Sequence, residues 1–312
     1  MTTAFYSHPD CKRHEMGPWH PECPARLQAI EDQIIASRIK DFLDYREAPA
    51  ADLAAIERVH TREAIERVRM NVESLQGIGS GYYPIDADTM LNTHSWTAAL
   101  RAAGAAIAAT DAVIAGELDN AFCSIRPPGH HARPTEAMGF CLFGNVAIAA
   151  KHALEVHGLK RVAIVDFDVH HGNGTEEAFL DDPRVLMVSF FQHPFYPYTA
   201  LHESDHMVNV PVPAYTKGDT VRRLVADKWL PALNAHKPEM IFISAGFDAH
   251  REDDIGQMGL VEADYAWITK EIMSVAREHA NGRIVSCLEG GYNLSALARS
   301  VVAHIKALAD LD

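Results

Sequence analysis

The chain has 312 residues, 48% of them apolar, with a formal charge of −14 and a pI near 5.7. That length and apolar share allow one large α/β domain with a sizeable core, and the acidic balance argues against general nucleic-acid affinity, which needs clustered Lys and Arg. The first ten residues show no basic segment leading into an apolar one, and the alanine-rich stretch Ala98–Ala115, broken by Arg101, Thr110 and Asp111, reads as too weakly apolar to span a membrane.

In chain order, the first segment with internal signals holds Cys11, His14, His20 and Cys23. Their spacing resembles two metal-ligand pairs, but Pro18, Pro21 and Pro24 stiffen a short connection, so the segment reads as an ordered surface loop. A helical pattern follows over Ser95–Gly116. Beyond it, short β-branched runs alternate with helical ones. Strands are expected at Asn120–Ile125, Arg161–Phe167, Arg184–Phe190, Glu239–Ala245 and Arg283–Leu288. Helices are expected at Asn145–His157, Thr220–Ala235, Ala263–His279 and Ser295–Leu311. The region from Gln192 to Tyr215, with Pro194, Pro197, Pro211 and Pro213, reads as a long functional loop. The near-continuous apolar strands predict a parallel sheet with helices on both faces, and no linker divides residues 1–312, which read as a single domain. The five cysteines are scattered without a Cys-x-x-Cys, as in a reduced, cytoplasmic protein. No membrane or nucleic-acid partner is expected, and a homo-oligomer is neither required nor excluded.

Four polar runs carry the chemistry, each where an apolar run ends: Arg126–His131, Asp166–Gly172, Ser244–Asp248 and Glu289–Tyr292. In open parallel sheets that edge is where ligand crevices form. On a strand end residues two apart face one side, so Asp168 and His170 can both reach one ion, which Asp248 from another strand completes. Two carboxylates and one imidazole leave an ion open to water and substrate, as catalytic zinc sites do. The competing reading makes Asp166 and Asp168 helix caps. His130 and His131, behind a Pro-Pro-Gly turn, are free for proton transfer, with Asp166 and Asn173 as candidate partners. An Asp partner favours a cationic ring, and an Asn partner orients it without holding a charge. Tyr292, behind Gly290-Gly291, is placed to donate to a carbonyl oxygen as charge builds on it.

With these runs, the segment His20–Leu27 (His-Pro-Glu-Cys-Pro-Ala-Arg-Leu) and the segment Gly139–Asn145, the chain resembles the histone deacetylase family within the arginase–deacetylase fold. The wording around Arg126–His131 and the Asn at 173, where class I members usually carry Asp, resembles the class II and bacterial amidohydrolase branch. The resemblance implies zinc held by Asp168, His170 and Asp248, with His131 as general base and then acid. It makes His130, with Asp166, an electrostatic helper and Tyr292 the carbonyl-polarising donor. Phe140 and Tyr196 would line a tunnel, and the Gly139 carbonyl would meet the substrate N–H. It further implies potassium at an inner site (Asp166, Asp168, His170, Ser189, Phe190) and an outer one (Phe179, Asp182, Val185). The implied reaction is hydrolysis of acetyl-lysine or a related N-acyl amine.

Three alternatives follow from the same residues. Binuclear manganese ureohydrolases of this fold place an Asp where this chain has Gly172, so a second ion lacks a ligand. A non-catalytic binding relative would have lost Tyr292, a ligand or a free histidine. An acetylpolyamine hydrolase would carry a rim Glu at about Ile255. That position is apolar here, but Glu252, Asp253 and Asp254 beside it leave a cationic substrate open.

Overall fold

The computed structural model describes residues 1–76, 81–199, 202 and 204–311. The strands of its main sheet are β1 (Thr3–Ser7), β2 (Leu43–Glu47), β3 (Asn120–Cys123), β4 (Val162–Asp166), β5 (Val185–Gln192), β6 (Met207–Val212), β7 (Ile241–Ala245) and β8 (Ile284–Leu288), apart from a two-residue antiparallel pair, Tyr83–Pro84 with Met90–Leu91. They form one eight-stranded parallel sheet in the order β2-β1-β3-β8-β7-β4-β5-β6. Every residue of β3, β4, β5, β7 and β8 is buried, which is why these strands read as unbroken apolar runs rather than alternating ones.

The main helices are α1 (Ala25–Ala36), α2 (Arg62–Gln76), α3 (Ser95–Ile114), α4 (Asn145–Glu155), α5 (Asn173–Phe179), α6 (Gly218–Leu224), α7 (Leu230–His236), α8 (Glu262–His279) and α9 (Leu294–Leu308). A π turn, Val225–Trp229, joins α6 to α7. Helices α1, α8 and α9 pack as one group and α3 with α4 as another, covering the two faces of the sheet. The layout is the doubly covered α/β fold expected from the strand–helix alternation.

Three expectations change. Within Gln192–Tyr215 lies a strand, β6, whose Met-Val-Asn-Val-Pro-Val sequence pairs with β5. It is an edge strand, the place where a proline such as Pro211 does not cost the sheet a central hydrogen bond. By length and composition α3 is apolar enough to cross a membrane, contrary to the sequence reading of Ala98–Ala115. Its apolar face instead packs on β3, β8, β1 and α4. The Cys11–Cys23 segment is also more than a surface loop. Cys11, His14 and Glu22 are buried, and Glu22 is the counter-ion of Arg126 beneath the site.

Candidate active site

The four polar runs leave β3, β4, β7 and β8, which are the four contiguous central strands of the sheet. Their C-terminal ends therefore converge at one place, and long-range order does the rest.

Strand β4 stops at Asp166, so Asp168 and His170 lie beyond it rather than on alternating strand positions. Carboxylates fold this turn instead. The Asp168 N–H donates to Asp166 Oδ1 at 3.0 Å, the Val169 N–H to Asp248 Oδ1 at 2.8 Å, and the His170 N–H to Asp168 Oδ1 at 2.8 Å. The turn brings His170 Nδ1 to 2.9 Å from Asp168 Oδ1 and 3.2 Å from Asp248 Oδ2.

These three side chains are buried, and one ligand atom from each lies within 4.8 Å of the others. Asp248 Oδ2 is buried yet receives no aligned hydrogen bond. Gly246 and Gly290 wall the cluster: a Cβ on either would sit 2.0 Å from a carboxylate oxygen of Asp168 or Asp248. An orphaned carboxylate oxygen in a cradle that excludes side chains fits a divalent ion with nitrogen and oxygen ligands. Burial raises Asp248 to about 7, and the neighbouring Asp168 pushes the same way. Burial works against charge on His170, but the two carboxylates raise it to about 9.

The histidine pair is held from below. Glu289 Oε2 accepts the N–H groups of Gly129 at 2.6 Å and His130 at 3.1 Å, and its Oε1 accepts the Ser244 hydroxyl at 3.2 Å. His130 Nδ1 lies 3.0 Å from Asp166 Oδ2, and His131 Nδ1 lies 2.7 Å from Asn173 Oδ1. The rings are 4.0 Å apart. Burial opposes charge on both, but Asp168 and Asp166 raise the His130 pKa well above its usual value. Burial, then the cationic neighbours His130 and His170, push His131 well below it. Two adjacent imidazoles are thereby split into a cation and a neutral base.

Above this floor is a cavity of about 150 Å³ lined by His131, Gly139, Phe140, His170, Tyr196 and Tyr292, with Asp88, Phe195 and Ile255 completing it. Gly139 has φ +57°, and a Cβ there would meet the His131 ring at 2.6 Å, so both conformation and contact require glycine. Phe195 stacks on His170 at 5.1 Å, and Phe140 meets Tyr292 edge-on at 5.9 Å. The Tyr292 ring lies under the Arg26 guanidinium at 5.1 Å. Arg26 in turn binds the carbonyls of Gly291 at 2.7 Å and Glu289 at 2.5 Å.

At this point the comparisons decide the family. The histone deacetylase domain model matches residues 20–308. The chain belongs to the histone deacetylase family. It is 39% identical to a probable deacetylase of Archaeoglobus fulgidus, an alignment covering all of this chain and 88% of the relative. It is 34% identical to the histone deacetylase-like amidohydrolase of Pseudomonas aeruginosa over 93% of this chain and 82% of that one. The crystal structure of the HDA15 HD domain superimposes with a TM-score of 0.90 at 33% identity, covering 99% of this chain and 90% of that one. The fold is thus the arginase–deacetylase fold, and hydrolytic deacetylation is the activity class of the family.

Other site residues escaped the sequence reading. Asp88 sits in a loop remote from the four runs and carries no signal of its own, while Phe195 lies in the proline-rich Gln192–Tyr215 region read as functional but was not singled out beside Tyr196. Asp253 was grouped with Glu252 and Asp254 as rim charge, but it faces inward. Its Oδ1 accepts the N–H groups of Ile255 at 2.9 Å and Gly256 at 3.3 Å, and its Oδ2 those of Tyr292 at 2.7 Å and Asn293 at 3.2 Å. Burial raises its pKa while those four N–H groups pull it back. Glu252 pairs with Arg299 at 2.8 Å. Neither acid is a free rim charge.

The residues assigned to potassium fall in two places. Asp166 and Ser189 are cross-strand neighbours, next to Phe190. Phe179, Asp182 and Val185 share one turn, where Asp182 already binds Lys151 at 2.9 Å and Arg184 at 2.7 Å. The candidate site thus has a buried cluster of donor side chains at its centre and an aromatic wall.

Proposed function

We propose that the chain is a zinc-dependent deacylase of acetyl-lysine or a related N-acyl amine, with Asp168, His170 and Asp248 holding one ion. The observation that carries this is the opposite polarisation of His130 and His131 beside an orphaned Asp248 oxygen. Bound between those residues, zinc supplies Lewis-acid polarisation of the acyl carbonyl and acidifies water.

The protein groups do the rest. The substrate enters the cavity between Phe140 and Tyr196, and the Gly139 carbonyl accepts its N–H. Asn173 Oδ1, accepting from His131 Nδ1–H, leaves Nε2 as the basic nitrogen, so neutral His131 takes the proton of the attacking water. Tyr292 donates its hydroxyl to the oxygen on which charge develops. Burial and the nearby Asp248 push its pKa well above the usual phenol value, which keeps the proton available for donation. His131 then protonates the departing amine, while His130 keeps its charge against Asp166 and stabilises the anionic centre. Potassium at the two groups named above is part of the same proposal and rests on the family resemblance alone; the cytoplasmic location proposed with it rests on the scattered cysteines without a Cys-x-x-Cys.

The rim favours a neutral acyl-lysine side chain over a polyamine, since Ile255 is apolar and Glu252 and Asp253 are engaged; the exposed Asp254 is the one acid of the three that keeps a cationic substrate open. Asp88, raised to about 6 by burial and then by Asp86, is the acid left lining the cavity. The test is one purified sample, assayed for metal content and against acetyl-lysine peptides, acetylputrescine, acetylspermidine and longer acyl-lysines. One zinc per catalytic site and hydrolysis of acyl-lysines are expected. A requirement for two manganese equivalents, or no hydrolysis of any acyl amine by the zinc-loaded chain, overturns the proposal.

A further inference from the structure

A second cluster of metal-type donors lies on the other side of the molecule. Asp111 belongs to the last turns of α3, His152 to the last turn of α4, and His157 follows α4 by two residues. Each of these helices feeds directly into a strand, β3 and β4 respectively, so its C-terminus lies where the strands begin. The active site lies where they end. Asp111 Oδ1 is 2.7 Å from His152 Nε2 and 2.6 Å from His157 Nε2. The two imidazole rings stand 5.2 Å apart at 75°, so both nitrogens converge on one carboxylate oxygen without stacking.

We infer that Asp111, His152 and His157 form a surface site for a divalent transition metal, separate from the catalytic centre. Two imidazole nitrogens and one carboxylate oxygen suit zinc, nickel, cobalt or copper and discriminate against magnesium and calcium, which prefer all-oxygen shells. All three ligand atoms lie within 4.8 Å of one another, so an ion with bonds of about 2.0–2.1 Å needs only a small outward shift of the half-exposed Asp111 side chain. The C-terminal ends of α3 and α4 place negative helix dipoles at the same spot, which favours a cation.

His152 sets the limit on affinity. Its Nδ1 is buried without a partner, so Nε2 is the atom that faces the ion, and the ligated ring must carry its proton on the unpaired Nδ1. That cost, and coordination positions left to water, put the dissociation constant on the order of micromolar rather than in the range of closed structural zinc sites. An ion here ties α3 to the α4–β4 connection, so binding should also raise the thermal stability of the fold.

Equilibrium dialysis of the zinc-loaded chain against rising free Zn²⁺, with metal counted by mass spectrometry, tests this. Wild type should take up one equivalent beyond the tightly held one, with a Tm rise of about 4 °C at free zinc a hundredfold above Kd. His157→Ala and Asp111→Ala should each lose that equivalent and that Tm rise, and keep the tight equivalent and normal turnover. Asp248→Ala should keep the weaker equivalent, which separates this site from the proposed catalytic one. Saturation of wild type without the further equivalent, up to about 100 µM free zinc, would show a hydrogen-bonded trio and nothing more. Retention of it in both surface variants would equally overturn the assignment.

Discussion

Replacing Asp253 with asparagine keeps the side-chain volume and removes half of its accepting capacity. One carboxylate oxygen serves Ile255 and Gly256, and the other serves Tyr292 and Asn293. An amide can serve one pair with its oxygen, but its NH2 then faces the other pair, donor against donor. Two hydrogen bonds to a charged acceptor are worth about 1.5–3 kcal/mol each. Asp253 is half-buried, so water recovers part of that, and about 3 kcal/mol is the expected destabilisation. For 312 residues the unfolding entropy is about 0.65 kcal/mol/K, which turns this into a Tm loss of roughly 5 °C. The same change frees the backbone of Tyr292, and loss of its placement should lower kcat by roughly tenfold to a hundredfold with KM for a neutral acyl-lysine little changed. A thermal melt and steady-state kinetics, repeated in a Tyr292→Phe background, read both effects. Once the hydroxyl is gone, Asp253→Asn should reduce kcat no further. The reasoning is refuted if Tm and kcat stay at wild-type values while KM rises only for cationic substrates, because Asp253 would then be a rim charge after all.

Tyr292→Phe alone should lower kcat about a hundredfold and leave zinc content and Tm unchanged, since ring packing is conserved; a fully active variant would sink the proposed mechanism. His131→Ala should depress kcat far more than it weakens hydroxamate binding, because a proton shuttle acts in the transition state, and near-normal kcat would transfer the base role to His130. Glu22→Gln strands Arg26 and Arg126, both buried, without their counter-charge and should cost about 3–5 kcal/mol in denaturant titrations. Burial opposes it, yet the arginines hold Glu22 at about 2, below the unfolded value. Its stabilisation is therefore full above about pH 4.5 and fades as pH falls toward 2, a dependence the variant should lack.

The sheet was legible in its centre because burial on both faces forces unbroken runs such as Val-Ala-Ile-Val-Asp in β4. It was least legible at its margins. The edge strand β2 buries only Leu43 of its Leu-Asp-Tyr-Arg-Glu, and β6 contains Pro211, so neither resembles a central strand. The site followed the same logic. His130, His131, Asp168, His170, Asp248 and Tyr292 announce themselves because each follows a central strand closely. Asp88 arrives from a remote loop that nothing local marks, and Phe195 lies in a loop marked only by its length and prolines.

Asp253 shows why residue type alone misleads here. An acid beside two other acids in a polar loop, Glu252-Asp253-Asp254, reads as solvated charge. What decides its role is the backbone donors the fold brings to it: Ile255 and Gly256 from its own loop, and Tyr292 and Asn293 from the β8 exit, where Gly291 at φ +118° turns the chain and two consecutive N–H groups point at one oxygen. One consequence of the glycines is close approach to the buried carboxylates, since a Cβ on Gly290 would sit 2.0 Å from Asp248 Oδ2. Their second consequence is to leave backbone donors without partners of their own, and a carboxylate on the neighbouring loop completes them. The Tyr292 backbone and the cavity rim at Ile255 thus share one acceptor, so substitutions at the rim that move Asp253 should be felt in turnover as well as in substrate choice.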